Sequence, residues 1–419
     1  MKNFLQILFS FLLVSQICFG QWLWTKYEGN PVLSGSGIST WDKHVMGPWV
    51  IFNADSNRYE MFFFASMQTN PDLPYKIGVA YSTDKINWTK HPDPIISPTP
   101  GFWDSNGAYH PCVIREDSVY KMWYMAYKDG IIRICFATST DGGLAWTKHP
   151  DPVLSPGTAE WESAGIAVPL VLKVTEGYVM YYSGWNSSHI ITKIGRAIST
   201  DGINWQRDTV NSPVLIAGTG WETKIFASGI VTVNDIYYLN YCGYTYPSPG
   251  GAGGMAFSTD GGLTFHKYPN NPIINRSSSD WDYYFIETDG MIYEDSTFYM
   301  WYAGSSNPYL IKIGLATSPI EPVSVDHETT QPTEFILEQN YPNPLNSATA
   351  IQYSVPQRSN VTLKVYDILG KQVTTLVNEE KDQGVYTVNF DANNLASGLY
   401  LYRIQAGSFI DTKKMILLK

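Results

Sequence analysis

Hydrophobic positions in the first three quarters of the chain recur with a period of about sixty residues. Each unit opens with a proline and two aliphatic residues, and the five copies begin at Pro31, Pro94, Pro152, Pro213 and Pro272. Four short strand-like runs follow in each unit, separated by turns rich in Gly, Asn and Asp. The pattern predicts an all-β fold with four strands per repeat, which is typical of a β-propeller.

A repeat that is split between the two ends of the array indicates how it closes. The tripeptide Trp24-Thr25-Lys26 returns as Trp88-Thr89-Lys90 and Trp146-Thr147-Lys148, each time after a Ser-Thr-Asp turn. The fifth unit stops at Ala316-Thr317-Ser318-Pro319 without such a strand. We therefore expect the N-terminal strand to complete the fifth unit and close a five-bladed β-propeller, because closure removes exposed sheet edges.

The two ends of the chain differ from the repeats. An apolar run from Phe4 to Val14, followed by small residues near Gly20, predicts a secretory signal peptide. No other stretch is long and apolar enough to cross a bilayer, so we expect no transmembrane segment in the mature chain. The expected divisions are a signal peptide at 1–20, a propeller at 21–324, a polar linker at 325–334 and a small domain at 335–419.

The last segment has its own alternation of apolar and polar positions. It predicts strands at 350–355, 361–369, 385–390, 398–404 and 409–418. This number and length of strands fits a small β-sandwich of immunoglobulin-like size.

Composition narrows the classes of partner. The chain has 28 Lys and Arg against 38 Asp and Glu, which gives a net charge of −10, and 15% of its residues are aromatic. Nucleic acid is not an expected partner, because phosphate binding needs concentrated positive charge. Carbohydrate suits an acidic, aromatic-rich surface better. Cys112, Cys135 and Cys242 are expected to be buried thiols rather than a disulfide framework.

The last segment resembles the C-terminal sorting domain of the type IX secretion system. The resemblance is carried by Leu337-Glu338-Gln339-Asn340-Tyr341-Pro342-Asn343-Pro344, Val365-Tyr366-Asp367-Ile368-Leu369-Gly370-Lys371 and Ala396-Ser397-Gly398-Leu399-Tyr400. It implies that the type IX machinery is a partner, that the chain is exported across the outer membrane, and that it is secreted or attached to the cell surface.

The repeats resemble the five-bladed propeller glycosidases, a group that includes arabinanases, invertases and mannoside phosphorylases. The best local match runs from Trp161-Glu162-Ser163-Ala164-Gly165 through Pro169 to Glu176-Gly177-Tyr178-Val179-Met180-Tyr181-Tyr182. The resemblance implies a glycoside-active protein, with hydrolysis favoured, that acts on poly- or oligosaccharide at the mouth of the propeller channel. The alternative is a non-catalytic glycan-binding or surface propeller that has lost the catalytic acids.

Acidic residues on the first strand of a repeat are the main candidates for catalysis, since that strand lines the channel of a propeller. Glu287 and Asp289 stand two residues apart in the fifth repeat, so both point to the same side of a strand. Glycoside hydrolysis uses two carboxyl groups, one of them held protonated. His110 is a further candidate ligand or acid/base. A carboxylate hydrogen-bonded inside the channel is the competing interpretation.

Aromatic and imidazole side chains near the channel mouth are candidates for contact with sugar. These substrate-binding candidates are Trp49, Tyr109, Trp185, Tyr246 and His44. No ligand spacing indicates a metal, and no cofactor is expected. Trp followed by a carboxylate recurs in all five repeats, so we interpret it as a structural element that every repeat needs.

Overall fold

The structure is a computed structural model, and it describes residues 22, 24–67, 74–188, 190–245, 251–307, 310–319, 334–337, 340, 343, 345, 348–368, 370–392 and 395–417. The chain divides into two compact units, Met1–Pro322 and Val323–Lys419. Within the described residues the strands number 28, counted in chain order, and the two helices are short 3-10 turns at Glu160–Glu162 and Gly220–Glu222. Neither helix could span a membrane.

The first unit begins with the short strand β1 (Thr25–Lys26). Each repeat then supplies a long first strand and a long second strand. The first strands are β2 (His44–Asn53), β6 (Gly107–Glu116), β10 (Gly165–Val174), β15 (Lys224–Val233) and β19 (Phe285–Glu294). The second strands are β3 (Arg58–Ser66), β7 (Val119–Lys128), β11 (Gly177–Trp185), β16 (Ile236–Tyr244) and β20 (Thr297–Ser305).

A third strand and a short outer strand complete the pattern. The third strands are β4 (Lys76–Ser82), β8 (Ile131–Ser139), β12 (Ile191–Ser199), β17 (Ala252–Ser258) and β21 (Lys312–Pro319). The outer strands of the first four repeats are β5 (Thr89–Lys90), β9 (Thr147–Lys148), β13 (Gln206–Arg207) and β18 (His266–Lys267). A further short strand, β14 (Leu215–Ile216), pairs with β12.

Antiparallel pairing joins the strands of each repeat in the order first, second, third, outer. In the fifth repeat the outer position is taken by β1, with Thr25 opposite Thr317 and Lys26 opposite Ala316. The sheets of the second and third repeats are joined by one parallel bridge between Gly165 and Ile132. The chain thus places its N-terminal strand beside the last strand of the repeats.

The five first strands contact one another in sequence, β2 with β6, β6 with β10, β10 with β15 and β15 with β19, and β19 also contacts β2. Each of these first strands has a register shift near its middle. There it contains one residue more than the second strand with which it pairs. Such bulges bend a strand and re-aim its side chains. The middle of every first strand is therefore a place where a side chain can leave the sheet.

Buried aromatic side chains hold the sheets against one another. Trp123, Trp301, Tyr181 and Tyr241 on the second strands are fully buried. Trp123, for example, packs edge-on against Trp205 with ring centroids 6.3 Å apart. Burying one such ring removes a large apolar area from water, and aromatic pairs gain about 0.5–1.5 kcal/mol beyond that. The aromatic residues that the sequence repeats on the second strands thus form the packed layer between the sheets.

The Trp-carboxylate motif forms the same ion pair in every repeat. Each carboxylate is buried and binds the Lys or Arg of the outer strand, in the pairs Asp42–Lys90, Asp104–Lys148, Glu162–Arg207, Glu222–Lys267 and Asp282–Lys26. The fifth cation comes from β1, at the other end of the chain. Because the pair recurs with the fold, its role is structural, as the repetition predicted.

The Ser-Thr-Asp turns are also structural. In the turn after β4, the Asp84 carboxylate accepts the backbone N–H groups of Ile86 and Asn87 at 2.9 and 2.7 Å. The same arrangement forms around Asp201, with Ile203 and Asn204. The Asn87 side-chain amide also donates to Asp84, at 2.7 Å, and with the backbone bonds it holds the pKa of Asp84 well below the usual range for aspartate. The backbone and side-chain N–H groups of Asn204 have the same effect on the pKa of Asp201, so both carboxylates stay ionised.

The second unit consists of two sheets with one hydrophobic core. Its strands are β22 (Ile336–Leu337), β23 (Ala348–Val355), β24 (Ser359–Asp367), β25 (Gln372–Lys381), β26 (Gly384–Asp391), β27 (Gly398–Ala406) and β28 (Phe409–Leu417). The sheets run β22-β23-β26 and β25-β24-β27-β28. Residues from both sheets, such as Ile351 and Leu363, pack in one cluster. The strand β25 was not predicted, because its second half is polar and exposed.

Candidate functional site

Three polar side chains from two repeats meet at the middle of the first strands. His110 lies on β6, and Glu287 and Asp289 lie on β19. The His110 Nε2 atom is 3.8 Å from Glu287 Oε1, and one donor atom from each of the three residues lies within 4.8 Å of the others. The strand β2 contacts both β6 and β19, so it lies between the two strands that carry these side chains.

The bulges of the first strands direct these side chains. His110 is a non-glycine residue with φ of 38°, and it precedes Pro111 at the register shift of β6. Gly47, at the same place in β2, has φ of 58°. A Cβ atom on Gly47 would lie 2.3 Å from the Phe64 ring and 3.2 Å from His110 Nδ1. Glycine at this position therefore leaves room for the Phe64 ring and, beside it, for the imidazole.

Burial without a nearby cation determines the protonation of Glu287 and Asp289. Asp289 is 2% exposed, and its Oδ2 atom has no hydrogen-bond partner among the residues that the structure describes. Burial raises the pKa of Glu287 to about 7. Burial and then the charge of Glu287 raise the pKa of Asp289 well above its usual range, against the lowering effect of the Ala303 and Gly47 backbone N–H groups. Within the described residues no Lys or Arg acts on either pKa, so the pair retains a proton near neutral pH.

His110 faces the acids as a neutral imidazole. Burial lowers its pKa to about 3, so its contact with Glu287 at pH 7 is not an ion pair. One imidazole nitrogen and two carboxylates are also donors that a divalent metal ion accepts. Among the described residues, His110, Glu287 and Asp289 are the group that could hold such an ion. The expectation of no metal and no cofactor stays a prediction.

Aromatic rings pack around this cluster. Tyr109 lies 4.7 Å from Tyr75 and 5.7 Å from Phe64, and Phe64 lies 4.6 Å from the His110 ring, all measured between ring centroids. Burial and the charge of Glu287 raise the pKa of Tyr75 to about 12. Burial, Cys242 and Glu287 together raise the pKa of Tyr244. The acids therefore stand beside apolar rings whose phenol groups stay protonated.

The sequence pattern predicted Tyr109 as a site residue but not Tyr75 or Phe64. Tyr75 lies between the second and third strands of the first repeat, just before β4. Loops at this place in a repeat are expected to face the channel mouth, so the position of Tyr75 in the sequence could have identified it as a site residue. Phe64 gave no such signal, because every second strand is rich in aromatic residues.

The structure places the other candidates elsewhere on the repeats. The indole N–H of Trp49 donates to the carbonyl oxygen of Val113 at 2.9 Å, which ties β2 to β6. Trp185 is the last residue of β11, opposite Gly165. His44 is 1% exposed and accepts the Ile311 N–H on Nδ1 at 3.3 Å, and burial lowers its pKa to about 4. Tyr246 lies outside the described residues.

Comparison with known proteins separates the two units. Residues 339–418 match the family model of the secretion system C-terminal sorting domain. An uncharacterized protein of Mycobacterium tuberculosis, MT1551, is 33% identical over 141 residues, which are 33% of this chain and 45% of that protein. The chain thus spans less than half the length of this curated relative.

Two further comparisons concern the repeats. The beta-1,2-mannobiose phosphorylase of Thermoanaerobacter sp. (strain X514) is 24% identical over 293 residues, covering 52% of this chain and 92% of the relative. A solved structure from the GH130 family of mannoside phosphorylases, reported to contain glycoside hydrolases that target beta-1,2 mannosidic linkages in Candida mannan, superposes with a TM-score of 0.54 at 17% identity. It covers 72% of this chain and 95% of that one.

These likenesses establish the class of each unit. Residues 339–418 are a secretion system C-terminal sorting domain, which marks the chain for export by the type IX system to the cell surface or the medium, and the repeats have the propeller-like fold of the glycoside hydrolases and mannoside phosphorylases.

Proposed function

We propose that the protein is a secreted glycoside hydrolase whose reaction takes place at Glu287, Asp289 and His110. Its fold in this proposal is a five-bladed propeller that β1 closes, preceded by a signal peptide at 1–20 and followed by an immunoglobulin-like sandwich. Two observations support closure of the propeller: each first strand contacts the next, with β19 contacting β2, and β1 pairs with β21. The single observation that carries the activity is a pair of buried carboxyl groups that no cation of the described residues neutralises.

The acid pair supplies the proton that glycoside cleavage needs. A carboxyl group with a pKa near 7 is protonated in a useful fraction at neutral pH and can donate to the leaving oxygen. Glu287 has the more exposed side chain of the two, at 17%, so it is the one that reaches a substrate. Asp289 stands beside it, and because the charge of Glu287 raises its pKa further, Asp289 keeps its proton when Glu287 ionises. Neutral His110 positions the Glu287 carboxyl group without ionising it.

Hydrolysis is favoured over phosphorolysis by the charge around the site. Inorganic phosphate is an anion and binds where Lys, Arg or backbone N–H groups converge. Here the site holds two acids, and the pKa of each is raised with no contribution from Lys or Arg of the described residues. A phosphate ion beside them would meet repulsion rather than attraction. Water is the acceptor that fits this environment.

Glycan binding without cleavage is the second candidate. It is favoured by the position of the acids, which stand side by side on β19 rather than on opposite sides of a bound sugar. Glycosidases usually place their two carboxyl groups on either side of the scissile bond, about 5–10 Å apart. The residue that faces Glu287 from another strand is His110.

Product release from a panel of plant, algal and fungal glycans, including β-1,2-mannosides, tests the proposal. The full chain and the double variant Glu287→Gln, Asp289→Asn are compared with and without inorganic phosphate. We expect turnover by the wild type without phosphate and a loss of roughly 100- to 10,000-fold in the variant. Glu176→Gln, an exposed acid in a turn of the third repeat, is the matched control and should keep full activity.

Three other results would each decide against part of the proposal. Turnover that requires phosphate would make the protein a phosphorylase. Binding of a glycan with no turnover of any panel member would favour the second candidate. Full activity in the double variant would place the chemistry away from Glu287 and Asp289.

A further inference from the structure

A cleft of about 390 Å³ lies where the fourth and fifth repeats meet, and none of its residues belongs to the site described above. Its lining includes Trp221, Thr245, Asn275, Arg276 and Tyr283. The cleft combines aromatic rings with amide, hydroxyl and guanidinium groups. This is the mixture with which proteins bind sugars, whose rings have apolar faces and polar edges.

The fifth repeat departs from the other four at the residues of this cleft. Two positions after the motif Trp, the first four repeats have Lys43, Ser105, Ser163 and Thr223, whereas the fifth has Tyr283, which is 47% exposed. After the Pro-aliphatic-aliphatic segment the first four have Ser34-Gly35, Ser97-Pro98, Ser155-Pro156 and Ile216-Ala217, whereas the fifth has Asn275-Arg276. A residue that the fold needs would recur, so these departures indicate a local role.

Arg276 differs from most other arginines of the repeats in its partners. Arg58, Arg115, Arg196 and Arg207 each form an ion pair with a carboxylate. Arg133 lies over the Trp103 ring. Arg276 donates from Nη1 to the backbone carbonyl of Tyr284 at 3.1 Å, and within the described residues it forms no ion pair, nor does any Asp or Glu line the cleft. In a protein with a net charge of −10, this leaves a cation available to an anionic ligand.

We propose that the cleft binds an acidic sugar residue, with its ring against Tyr283 and its carboxylate on Arg276. The inference rests on the proposed glycan-degrading function and names the substrate class: a glycan that contains uronic acid. Tyr283 stands four residues before Glu287, two residues before β19 begins, so the two residues are at most roughly 14 Å apart. Thr245 of the cleft follows Tyr244, a ring whose pKa is raised by burial, Cys242 and Glu287. One oligosaccharide can therefore occupy both places.

Binding measurements on the full chain carrying Glu287→Gln test this without turnover. Calorimetric titration uses oligogalacturonides and glucuronate-bearing oligosaccharides, each alongside its carboxyl-reduced form. In that background Arg276→Ala should weaken binding of the acidic form about tenfold or more and leave the reduced form unchanged. Tyr283→Ala should weaken both forms several-fold, and Tyr283→Phe should retain binding. Phe52→Ala, at an exposed aromatic on β2 outside the cleft, is the control.

Equal affinity for acidic and reduced forms, or no effect of Arg276→Ala, would overturn the assignment of an acidic sugar. No binding of any acidic oligosaccharide at millimolar concentration would overturn the site itself. The two proposals fail separately. Binding that depends on Arg276 in a protein without hydrolytic activity sinks only the hydrolase. Hydrolysis that continues while Arg276→Ala changes no affinity sinks only the cleft.

Discussion

The five ion pairs of the outer strands and the acid pair of β19 are made of the same residue types in opposite electrostatic surroundings. Asp104 is fully buried and is bound by Lys148 at 2.5 Å, with the Tyr124 hydroxyl donating at 3.1 Å. Asp289 is buried and Glu287 is largely buried, with no such cation among the described residues. The five carboxylates that recur with the fold are neutralised by a cation, while Glu287 and Asp289, which occur in one repeat, retain a proton. That difference separates structural acids from chemical ones.

Removing residues 21–29 should have the largest effect on this contrast. The deletion takes away β1 and with it Lys26, the only cation that pairs with Asp282 in the described structure. The fifth repeat would then carry an unpaired edge on β21 and an uncompensated buried charge. We expect loss of cooperative unfolding and of activity together, measured by urea denaturation and by turnover. A deletion variant that unfolds like the wild type would show that β1 does not close the fold.

Asp104→Asn should destabilise the fold by about 3 kcal/mol, because it leaves the Lys148 ammonium group beside a neutral amide. The loss of stability is limited because the Lys148 side chain is 16% exposed, so water partly solvates its ammonium group. Urea denaturation at pH 7 measures the loss, and Glu176→Gln again serves as the exposed control. If Asp104→Asn changed glycan turnover more than stability, the repeated carboxylates would have to be counted as part of the site.

Glu287→Gln should have the opposite sign and depend on pH. The pKa of Glu287 in the folded protein, about 7, lies above its ordinary value of 4.5, so the folded state binds this proton more tightly than the unfolded chain. The stability that the proton contributes is complete below pH 4.5 and is lost as the pH rises through 7. Glutamine stays neutral throughout.

We therefore expect Glu287→Gln to raise the free energy of unfolding at pH 8 by up to roughly 3 kcal/mol and to leave it nearly unchanged at pH 4. Urea denaturation at the two pH values measures the difference. A variant that is less stable at pH 8 would mean that Glu287 is ionised and paired in solution, by a metal ion for example. Repeating the titration after removal of metal ions by EDTA distinguishes that case.

The sequence predicted what depends on local pattern and missed what depends on meeting across the fold. Alternation and turn residues located the strands of the repeats, and Glu287 and Asp289 stood out as unrepeated acids on a first strand. That His110 reaches Glu287 depends on the bulge in β6 and on Gly47 in the strand between them, which no spacing reveals. The strand β25 escaped prediction because Asn378-Glu379-Glu380-Lys381 removes the alternation from its second half.

Arg207→Lys should have the smallest effect, because the outer ion pair requires a cation and little else. Arg207 bonds the Glu162 carboxylate and the Ser155 carbonyl oxygen. In the first and second repeats Lys90 and Lys148 bond the corresponding carboxylate and the carbonyl oxygens of Ser34 and Ser97. We expect a change below about 1 kcal/mol in urea denaturation, whereas Arg207→Met should cost about 3 kcal/mol by leaving Glu162 buried and unpaired. If the lysine variant lost as much as the methionine variant, the fork of the guanidinium group, and not its charge, would be what the third repeat needs.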